Sequence, residues 1–392
     1  MKMKRSTQRD GGLLLPTKVG RGCFKRRCFE KDISGCALTG FLNEDGARVS
    51  GWSIVRSITT MNERGNGLGA GFAVYGLYPD YGDCYAFHLM FADRKSKEAT
   101  EKILEEGFLI EAEERIPTRN VPTIADPPIL WRYFIKPKNG SPEDDEKVLR
   151  TVMDINLTVN GAFVMSSGRN MGVFKAVGFP KDVAEFYRVD EYEAYMWIAH
   201  SRFPTNTPGW WGGAHPFSLL DWAVVHNGEI SSYGANKRYL EMFGYKCTLM
   251  TDTEVMVYLF DLLVRRHGLP IELASSILAP PLWDQIERLP GGLRDFLKAA
   301  RIAYGSALVN GPFAIILGFK GGMLGLNDRI KLRPLTAARK GNTLYVASEE
   351  AGIREICPNP DKVWTPVAGV PVIGRLKGEK LGLKVASTGV HG

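Results

Sequence analysis

The sequence predicts an α+β fold with largely antiparallel sheets. Short apolar strand patterns cluster towards both ends of the ordered part of the chain, and mostly helical patterns lie between them. The chain shows no internal repeat and no regular strand–helix alternation of the kind that a doubly wound parallel sheet requires. With 392 residues, of which 44% are hydrophobic, it can bury a sizeable core.

The first ordered element is predicted to be a short buried strand at 36–42. An amphipathic helix is expected at 50–64, because Ile54, Ile58 and Met61 fall on one helical face. Further elements of this half are predicted as strands at 72–77, 84–91 and 195–200, two strands around a Gly-Arg-Asn turn within 161–175, and helices at 95–107 and 181–187.

The second half of the chain is predicted to begin with a helical segment at 270–305 and to end in short strands. A Pro-rich stretch at about 117–128 and an acidic stretch at 141–146 are predicted as surface connections. Residues 36–392 would then form one domain. Its closing strands, within 313–374, are predicted at 313–319, 323–326, 332–337, 343–347 and 370–374.

The basic charge of the chain lies in a leader at its N-terminus. Residues 1–35 contain ten lysines and arginines against three acidic residues, which accounts for the whole net charge of +7. The remaining residues are neutral overall, so charge gives no reason to expect nucleic-acid binding by the folded part. The sequence has no apolar run near the roughly 20 residues that span a bilayer, and no signal-peptide core. We therefore expect a cytoplasmic protein whose leader is a flexible arm.

The six cysteines indicate neither a disulfide framework nor a metal site. Cys23, Cys28 and Cys36 are spaced C-x4-C-x7-C, whereas zinc sites usually pair cysteines more closely and need a fourth ligand. Three later cysteines are expected to be small core residues, at positions 84, 247 and 357.

Cys36 is a candidate nucleophile. A free thiol is mostly protonated at neutral pH and needs a base, which a cysteine at a chain terminus carries in its own α-amino group. Gly35 leaves the backbone before it free to adopt conformations that other residues avoid. A cysteine at the start of a strand is more often a core residue, so this segment alone leaves both interpretations open.

Segment 200–207 follows a predicted strand and carries a guanidinium with two short polar side chains. Arg202 can hold a carboxylate through two parallel hydrogen bonds. Thr205 and Asn206 add polar groups in the same loop. A surface salt bridge beside a turn is the alternative.

Segment 222–230 places an apolar strand before Asn227 and Gly228. An Asn-Gly pair is typical of a turn that presents a side-chain amide and a backbone N–H side by side. Two such donors suit an oxyanion, with one of them worth about 3–4 kcal/mol. A plain hairpin turn is the alternative, and the Asn-Gly pair by itself favours it.

Segment 251–254 predicts a helix start. Thr251 and Glu254 have the spacing of a capping box, and Asp252 lies in the first turn, where the helix dipole keeps it ionised. A fixed carboxylate can hold the ammonium group of an amino acid. Compensation of the dipole alone is the alternative.

Together these segments resemble the class II glutamine amidotransferases, the N-terminal-nucleophile type. Five motifs occur in the same order as in that family: Cys36-Ala-Leu-Thr-Gly40, Arg64-Gly65-Asn66-Gly67, 200–207, 226–229 and 251–254, followed by 328–334 and 347–349. Phe203, Asn206 and the run Ala214-His-Pro-Phe217 are similar to the glutaminase domain of glutamate synthase, here as a stand-alone subunit of the split, archaeal type.

The resemblance implies a four-layer αββα sandwich and a set of roles. Cys36 would attack the glutamine side-chain amide to form a thioester, and Asn227 with the Gly228 N–H would hold the oxyanion. The substrate would be bound by Arg202, Thr205, Asp252 and His226. Ammonia would pass to a separate synthase subunit, and FMN and iron–sulfur clusters are expected only on partner subunits, with no cofactor or metal in this chain.

Because Cys36 is not the encoded terminus, the resemblance also predicts removal of the leader by cleavage between Gly35 and Cys36. Two other functions remain open. The first is an N-terminal-nucleophile amidohydrolase acting on another amide, and the second is a catalytically silent regulatory or binding subunit that retains its leader.

Overall fold

The fold is a pair of stacked antiparallel sheets with helices on both outer faces. It was obtained as a computed structural model that describes residues 35–203, 209–249 and 251–378. The predicted leader up to residue 34 and the loop residues Thr205 and Asn206 lie outside the described residues.

The strands are given first, because they position the site. In chain order they are β1 (Ala37–Asn43), β2 (Val49–Ser50), β3 (Ala70–Tyr75), β4 (Tyr85–Phe91), β5 (Phe108–Arg115), β6 (Ile129–Pro137), β7 (Ala162–Ser166), β8 (Met171–Ala176), β9 (Glu193–Ala194), β10 (Met196–Ser201), β11 (Phe217–Leu219), β12 (Trp222–Gly228), β13 (Phe313–Phe319), β14 (Gly322–Asn327), β15 (Thr336–Lys340), β16 (Thr343–Ala347), β17 (Lys362–Trp364) and β18 (Val372–Arg375).

The α-helices are also numbered in chain order and lie outside the sheets. They are α1 (Trp52–Thr59), α2 (Arg94–Gly107), α3 (Asp144–Thr158), α4 (Pro180–Phe186), α5 (Tyr233–Glu241), α6 (Asp252–Phe260), α7 (Ile271–Leu278), α8 (Trp283–Glu287), α9 (Gly291–Ala303) and α10 (Glu350–Ile356). Helix α6 continues as a π-helical segment over Asp261–Arg266.

The two central sheets have seven and five strands. The first has the order β17-β15-β16-β1-β10-β3-β8 and the second the order β11-β12-β13-β14-β18, and all of these pairings are antiparallel. Strand β1 lies against β12, β13 and β14 of the facing sheet. Gly40 permits this close approach, since a Cβ there would come within 3.2 Å of the Met323 sulfur.

Helices complete four layers. On the outer face of the seven-stranded sheet, α1 packs on β1 and β10, α4 on β3 and β8, and α10 on β15 and β16. On the outer face of the five-stranded sheet, α6 packs on β11 and β12, and α5 packs on α6. The α+β class and the αββα sandwich are therefore confirmed.

A third sheet of four strands, β5-β6-β4-β7, lies beside this sandwich. Its strands β5 and β6 were not predicted, and the two strands of 161–175 do not form the expected hairpin. Strand β7 pairs with β4 in the third sheet, whereas β8 pairs with β3 in the seven-stranded sheet. The turn between them, where Asn170 has a φ of +49°, therefore carries the chain from one sheet to the other.

Two segments outside the sheets differ in part from their predictions. The acidic stretch 141–146 is a connection only at its start, because α3 begins at Asp144 and holds three acidic residues in its first turn, where they face the positive end of the helix dipole. Segment 270–305 contains α7, α8 and α9. Within the described ranges, no helix has both the length and the apolar character of a membrane-crossing segment.

Candidate active site

Cys36 lies immediately before β1, at the edge where two central strands end. Ala37 pairs with Ser201 at the end of β10, so the chain leaving β10 runs past the thiol. The Phe203 backbone N–H donates to the Cys36 sulfur at 3.3 Å. The thiol is thus held against the segment that carries Arg202, and is not packed into the apolar core.

The surroundings of the thiol are cationic but contain no evident base. Burial raises the pKa of Cys36 above its ordinary value, while the Phe203 N–H and the guanidinium groups of Arg202, Arg333 and Arg64 oppose that rise. Among the described groups that influence this pKa there is no carboxylate and no imidazole. A thiol in this setting is protonated at neutral pH and needs a proton acceptor before it can attack.

Arg64 holds the backbone of the candidate nucleophile. Its Nε donates to the Cys36 carbonyl oxygen at 3.1 Å, and its Nη1 pairs with Glu349 at 2.6 Å. A Cβ on Gly35 would lie 3.2 Å from Arg64 Nη2. The guanidinium therefore lies along the peptide segment that joins Gly35 to Cys36.

Asn227 and Gly228 end strand β12 and do not form the predicted turn. They pair with Ala314 and Phe313 of β13. Gly228 has a φ of +148°, and a Cβ there would come within 1.9 Å of the Pro312 carbonyl oxygen, so close backbone approach requires the glycine.

Asn227 lies next to Gly35, the residue before the candidate nucleophile, and its side-chain amide has an unused donor. The residue is 1% exposed, and its Nδ2 has no hydrogen-bond partner among the described residues. A Cβ on Gly35 would lie 4.0 Å from its Oδ1. Buried amide donors are nearly always paired, so an unpaired one beside a thiol is a candidate oxyanion donor.

The Arg202 guanidinium interacts electrostatically with both the Cys36 thiol and the Asp252 carboxylate. It is 5% exposed, and its Nη1 donates to the Leu68 carbonyl oxygen at 3.4 Å. Burial lowers the pKa of the Arg202 guanidinium, while the charges of Cys36 and Asp252 raise it. The Cys36 thiol and the two predicted charged groups, Arg202 and Asp252, therefore lie close enough to interact.

Asp252 is the first residue of α6 and is oriented from two sides. Its Oδ2 accepts from the Ile230 N–H at 2.8 Å, and its Oδ1 lies 3.7 Å from His226 Nδ1. Burial raises the pKa of Asp252, but the neighbouring His226 and the Ile230 N–H outweigh burial and hold it below the ordinary value. Asp252 is therefore an ionised carboxylate at neutral pH.

The predicted capping box at this helix start is wrong. The Thr251 side chain does cap the helix, accepting from the Thr253 N–H at 3.3 Å. Glu254, however, accepts from the N–H groups of Thr248 and Leu249 at 3.1 and 3.0 Å. Burial raises the pKa of Glu254 to about 7.

His226 lies behind Asp252, on the opposite face of β12 from Asn227. Its Nδ1 lies 3.0 Å from the Thr253 hydroxyl, and the residue is 3% exposed. Direct contact of His226 with a substrate stays a prediction, as does the role of Thr205, which lies outside the described residues.

Three groups of the site were not identified from the sequence as site residues. They are the Phe203 N–H on the sulfur, the Arg333 guanidinium near it, and Glu349, which anchors Arg64. The sequence did point to the segments that contain Arg333 and Glu349, at 328–334 and 347–349, because their order along the chain matches the family. It assigned no role to their side chains. Among the described residues, no cluster of three or more His, Cys, Asp or Glu side chains is placed to bind a metal ion.

A thiol, an unpaired amide donor, a guanidinium and a carboxylate thus meet at the end of an αββα sandwich, as expected for an N-terminal-nucleophile hydrolase. The family model described as "Glutamine amidotransferases class-II" matches residues 83–365. The chain therefore belongs to the class II glutamine amidotransferases. The matched range includes Arg202, Asn227 and Asp252 and begins after Cys36 and Arg64.

The chain is also similar to individual proteins and to solved structures. A protein of Archaeoglobus fulgidus described as uncharacterized is 53% identical over 355 residues, which cover 89% of this chain and 94% of that protein. The glutamine amidotransferase-like protein GlxB of Rhizobium meliloti is 27% identical over 52% of this chain and 59% of its own length. Among solved structures, the allosteric regulatory enzyme of purine biosynthesis aligns at 15% identity with 86% of this chain and 46% of its own, with a TM-score of 0.45.

Proposed function

We propose that the chain hydrolyses L-glutamine to glutamate and ammonia through a thioester on Cys36. The observation that supports this most directly is the convergence of the Cys36 thiol, the Arg202 guanidinium and the Asp252 carboxylate beside the unpaired Asn227 amide. An α-amino acid with a side-chain amide offers one complementary group to each of these four.

The proton acceptor that the thiol lacks is supplied by cleavage between Gly35 and Cys36. The freed α-amine has an ordinary pKa near 8, suited to taking a proton at neutral pH. It accepts the thiol proton as sulfur attacks the amide carbon, and then returns that proton to the departing nitrogen, which leaves as ammonia. Water, deprotonated by the same amine, attacks the thioester and releases glutamate and the thiol.

The two substrate charges are held by opposite charges on separate elements. Arg202 receives the α-carboxylate in a two-pronged hydrogen bond, and Asp252 receives the α-ammonium. Because Asp252 is ionised and its Oδ2 is fixed by the Ile230 N–H, the carboxylate is already oriented before the substrate binds.

Asn227 supplies the electrostatic stabilisation of the tetrahedral intermediate. As the thiolate adds, the amide oxygen becomes an anion and accepts from Asn227 Nδ2 together with the Gly228 N–H. Since the Asn227 amide has no competing partner among the described residues, no existing hydrogen bond of that group to the protein must break when the oxyanion forms.

The acceptor of the ammonia is proposed to be a separate synthase subunit of a split glutamate synthase. Support comes from the sequence at Phe203 and at Ala214-His-Pro-Phe217, which is similar to the glutaminase domain of that enzyme. The flavin and iron–sulfur chemistry would then reside on the partner subunits, and this chain would need no cofactor of its own. Genes for separate flavin and iron–sulfur synthase subunits near this one are the expected context.

Ammonia release from L-glutamine tests the proposal, with L-asparagine as the matched amide one methylene shorter. We expect turnover of glutamine and a value of kcat/KM for asparagine lower by at least about 10-fold, because the shorter chain cannot place its amide at the thiol while both charges are held. Hydrolysis of a different amide in preference to glutamine would favour an amidohydrolase of other specificity. No turnover of any amide, with the leader still attached, would favour the silent subunit.

A further inference from the structure

The Thr253 hydroxyl joins three functional groups in the wall of the site. It lies 2.9 Å from His215 Nε2, 3.0 Å from His226 Nδ1 and 3.3 Å from Asp252 Oδ1. Of these groups, His215 belongs to the run Ala214-His-Pro-Phe217, which the proposed chemistry leaves without a role.

Counting protons fixes the direction of all three contacts. A hydroxyl has one hydrogen to donate and two lone pairs to accept with, and an ionised carboxylate only accepts. Thr253 therefore donates to Asp252 and accepts from both imidazoles, so His215 carries its hydrogen on Nε2 and His226 on Nδ1. The remaining ring nitrogens, His215 Nδ1 and His226 Nε2, then carry only a lone pair, and neither has a hydrogen-bond partner among the described residues.

The His215 ring is buried between two aromatic rings and is uncharged. Its ring stacks on that of His200 at 4.0 Å and meets the Phe217 ring edge-to-face at 4.9 Å. Burial, with the neighbouring histidines and cations, holds the pKa of His215 well below its usual value, so the ring stays uncharged.

The loop that carries His215 is anchored to the seven-stranded sheet. The ammonium group of Lys175 on β8 donates to the carbonyl oxygens of Gly212 and Pro216 at 2.9 and 3.2 Å. This loop follows the Arg202 segment along the chain. Through His215 and Thr253, the segment that bears the guanidinium is thus connected to the helix that bears Asp252.

We propose that His215 is a positioning residue that orients Asp252 through the Thr253 hydroxyl and so sets the preference for amides that carry an α-ammonium group. The inference rests on the proposed glutamine hydrolysis and adds a determinant of its specificity. His215 itself does not touch the substrate. His215 donates to the Thr253 oxygen and so helps to keep the hydroxyl hydrogen directed to Asp252. Without the two imidazole donors, the hydroxyl can rotate away from Asp252.

The test compares two substrates that differ only in the group that Asp252 holds. L-Glutamine carries the α-ammonium, and glutaramate has the same chain, carboxylate and amide without it. In His215→Phe, which keeps both ring contacts, and in Thr253→Val, which keeps the shape, kcat/KM for glutamine should fall about 10-fold, mainly through KM. The value for glutaramate should change by less than about 2-fold, because the lost hydrogen bond serves only the ammonium site. Thr253→Ser keeps the hydroxyl and should behave as the wild type.

The result distinguishes this inference from the proposal beneath it. Equal losses on both substrates, or no loss on glutamine in either variant, would overturn the positioning role while glutamine hydrolysis by the wild type stands. A wild type that releases no ammonia from glutamine would instead overturn both. Because His215→Phe and Thr253→Val alter different elements, a folding defect in one leaves the other to decide.

Discussion

Replacement of Cys36 by alanine is expected to abolish ammonia release from L-glutamine, a fall in kcat of at least about 10⁴-fold. The sulfur is the only atom proposed to bond to the substrate, and without it no thioester forms. The described neighbours of the thiol are guanidinium groups and a backbone N–H, none of which can replace a nucleophile. The measurement is the initial rate of ammonia formation at saturating glutamine.

The matched control is Cys84→Ala, which removes a buried cysteine outside the site. It should lower stability by about 1 kcal/mol through lost packing and leave kcat unchanged. The mass of each preparation is recorded with its rate, because a retained leader would keep the nitrogen of residue 36 in a peptide bond. The α-amine proposed as the base would then be missing, which would also abolish activity. Glutamine hydrolysis by Cys36→Ala at a rate near that of the wild type would exclude the proposed nucleophile.

Asn227→Ala is expected to lower kcat by about 10²- to 10³-fold and to change KM by less than about 3-fold. The amide contributes when negative charge develops on the substrate oxygen, so its loss raises the barrier and leaves ground-state binding largely intact. Steady-state kinetics on glutamine separate the two constants.

Asn236 is the matched control, because it is a buried asparagine whose side-chain amide is already hydrogen-bonded within the fold. Its Nδ2 donates to the carbonyl oxygens of Ser306 and Leu308 at 2.9 and 3.0 Å, so its amide is fully used within the fold. Asn236→Ala should destabilise the protein and spare kcat. If Asn227→Ala instead raised KM with kcat unchanged, Asn227 would be a substrate-binding group and the oxyanion would be stabilised elsewhere.

The sequence identifies Asn227 and Gly228 as candidate oxyanion donors, but their backbone geometry could not be predicted from it. An Asn-Gly pair after an apolar strand is typical of a hairpin turn, and the local pattern gives no reason to prefer anything else. Gly228 is instead required because the Pro312 carbonyl lies against it, a contact between strands distant in sequence. In the sequence this glycine fits both a local turn and a non-local contact, and the fold shows that the non-local contact is the correct explanation.

The start of α6 shows the same limit for side-chain hydrogen bonds. The spacing of Thr251 and Glu254 fits a capping box, but Thr251 caps the helix by accepting from the Thr253 N–H and not from that of Glu254. The Glu254 carboxylate does not bond back to the start of the helix. It is buried and accepts instead from the backbone N–H groups of Thr248 and Leu249. The ionised state of Asp252 was predicted from its place in the first turn of the helix, but His226 and the Ile230 N–H, which also hold its pKa down, were not.

Arg333 lies in the segment 328–334 that resembles the family, but no local pattern shows that its guanidinium comes near the thiol. It follows β14, which stacks on β1 from the facing sheet, and this packing brings its guanidinium near the thiol at the other end of the chain. Strand β5 was missed because its residues are mostly exposed along one face, so the apolar alternation is weak.

Covalent labelling with 6-diazo-5-oxo-L-norleucine tests the central claim most directly. This glutamine analogue carries an electrophilic diazoketone in place of the side-chain amide. It therefore alkylates the residue that attacks the amide carbon of glutamine. Peptide mapping by mass spectrometry should place one adduct on the sulfur of Cys36, in a peptide that begins at residue 36, and excess L-glutamine should prevent the reaction. An adduct on Cys84, Cys247 or Cys357, or on Cys36 still joined to Gly35, would contradict a nucleophile activated by its own free amine.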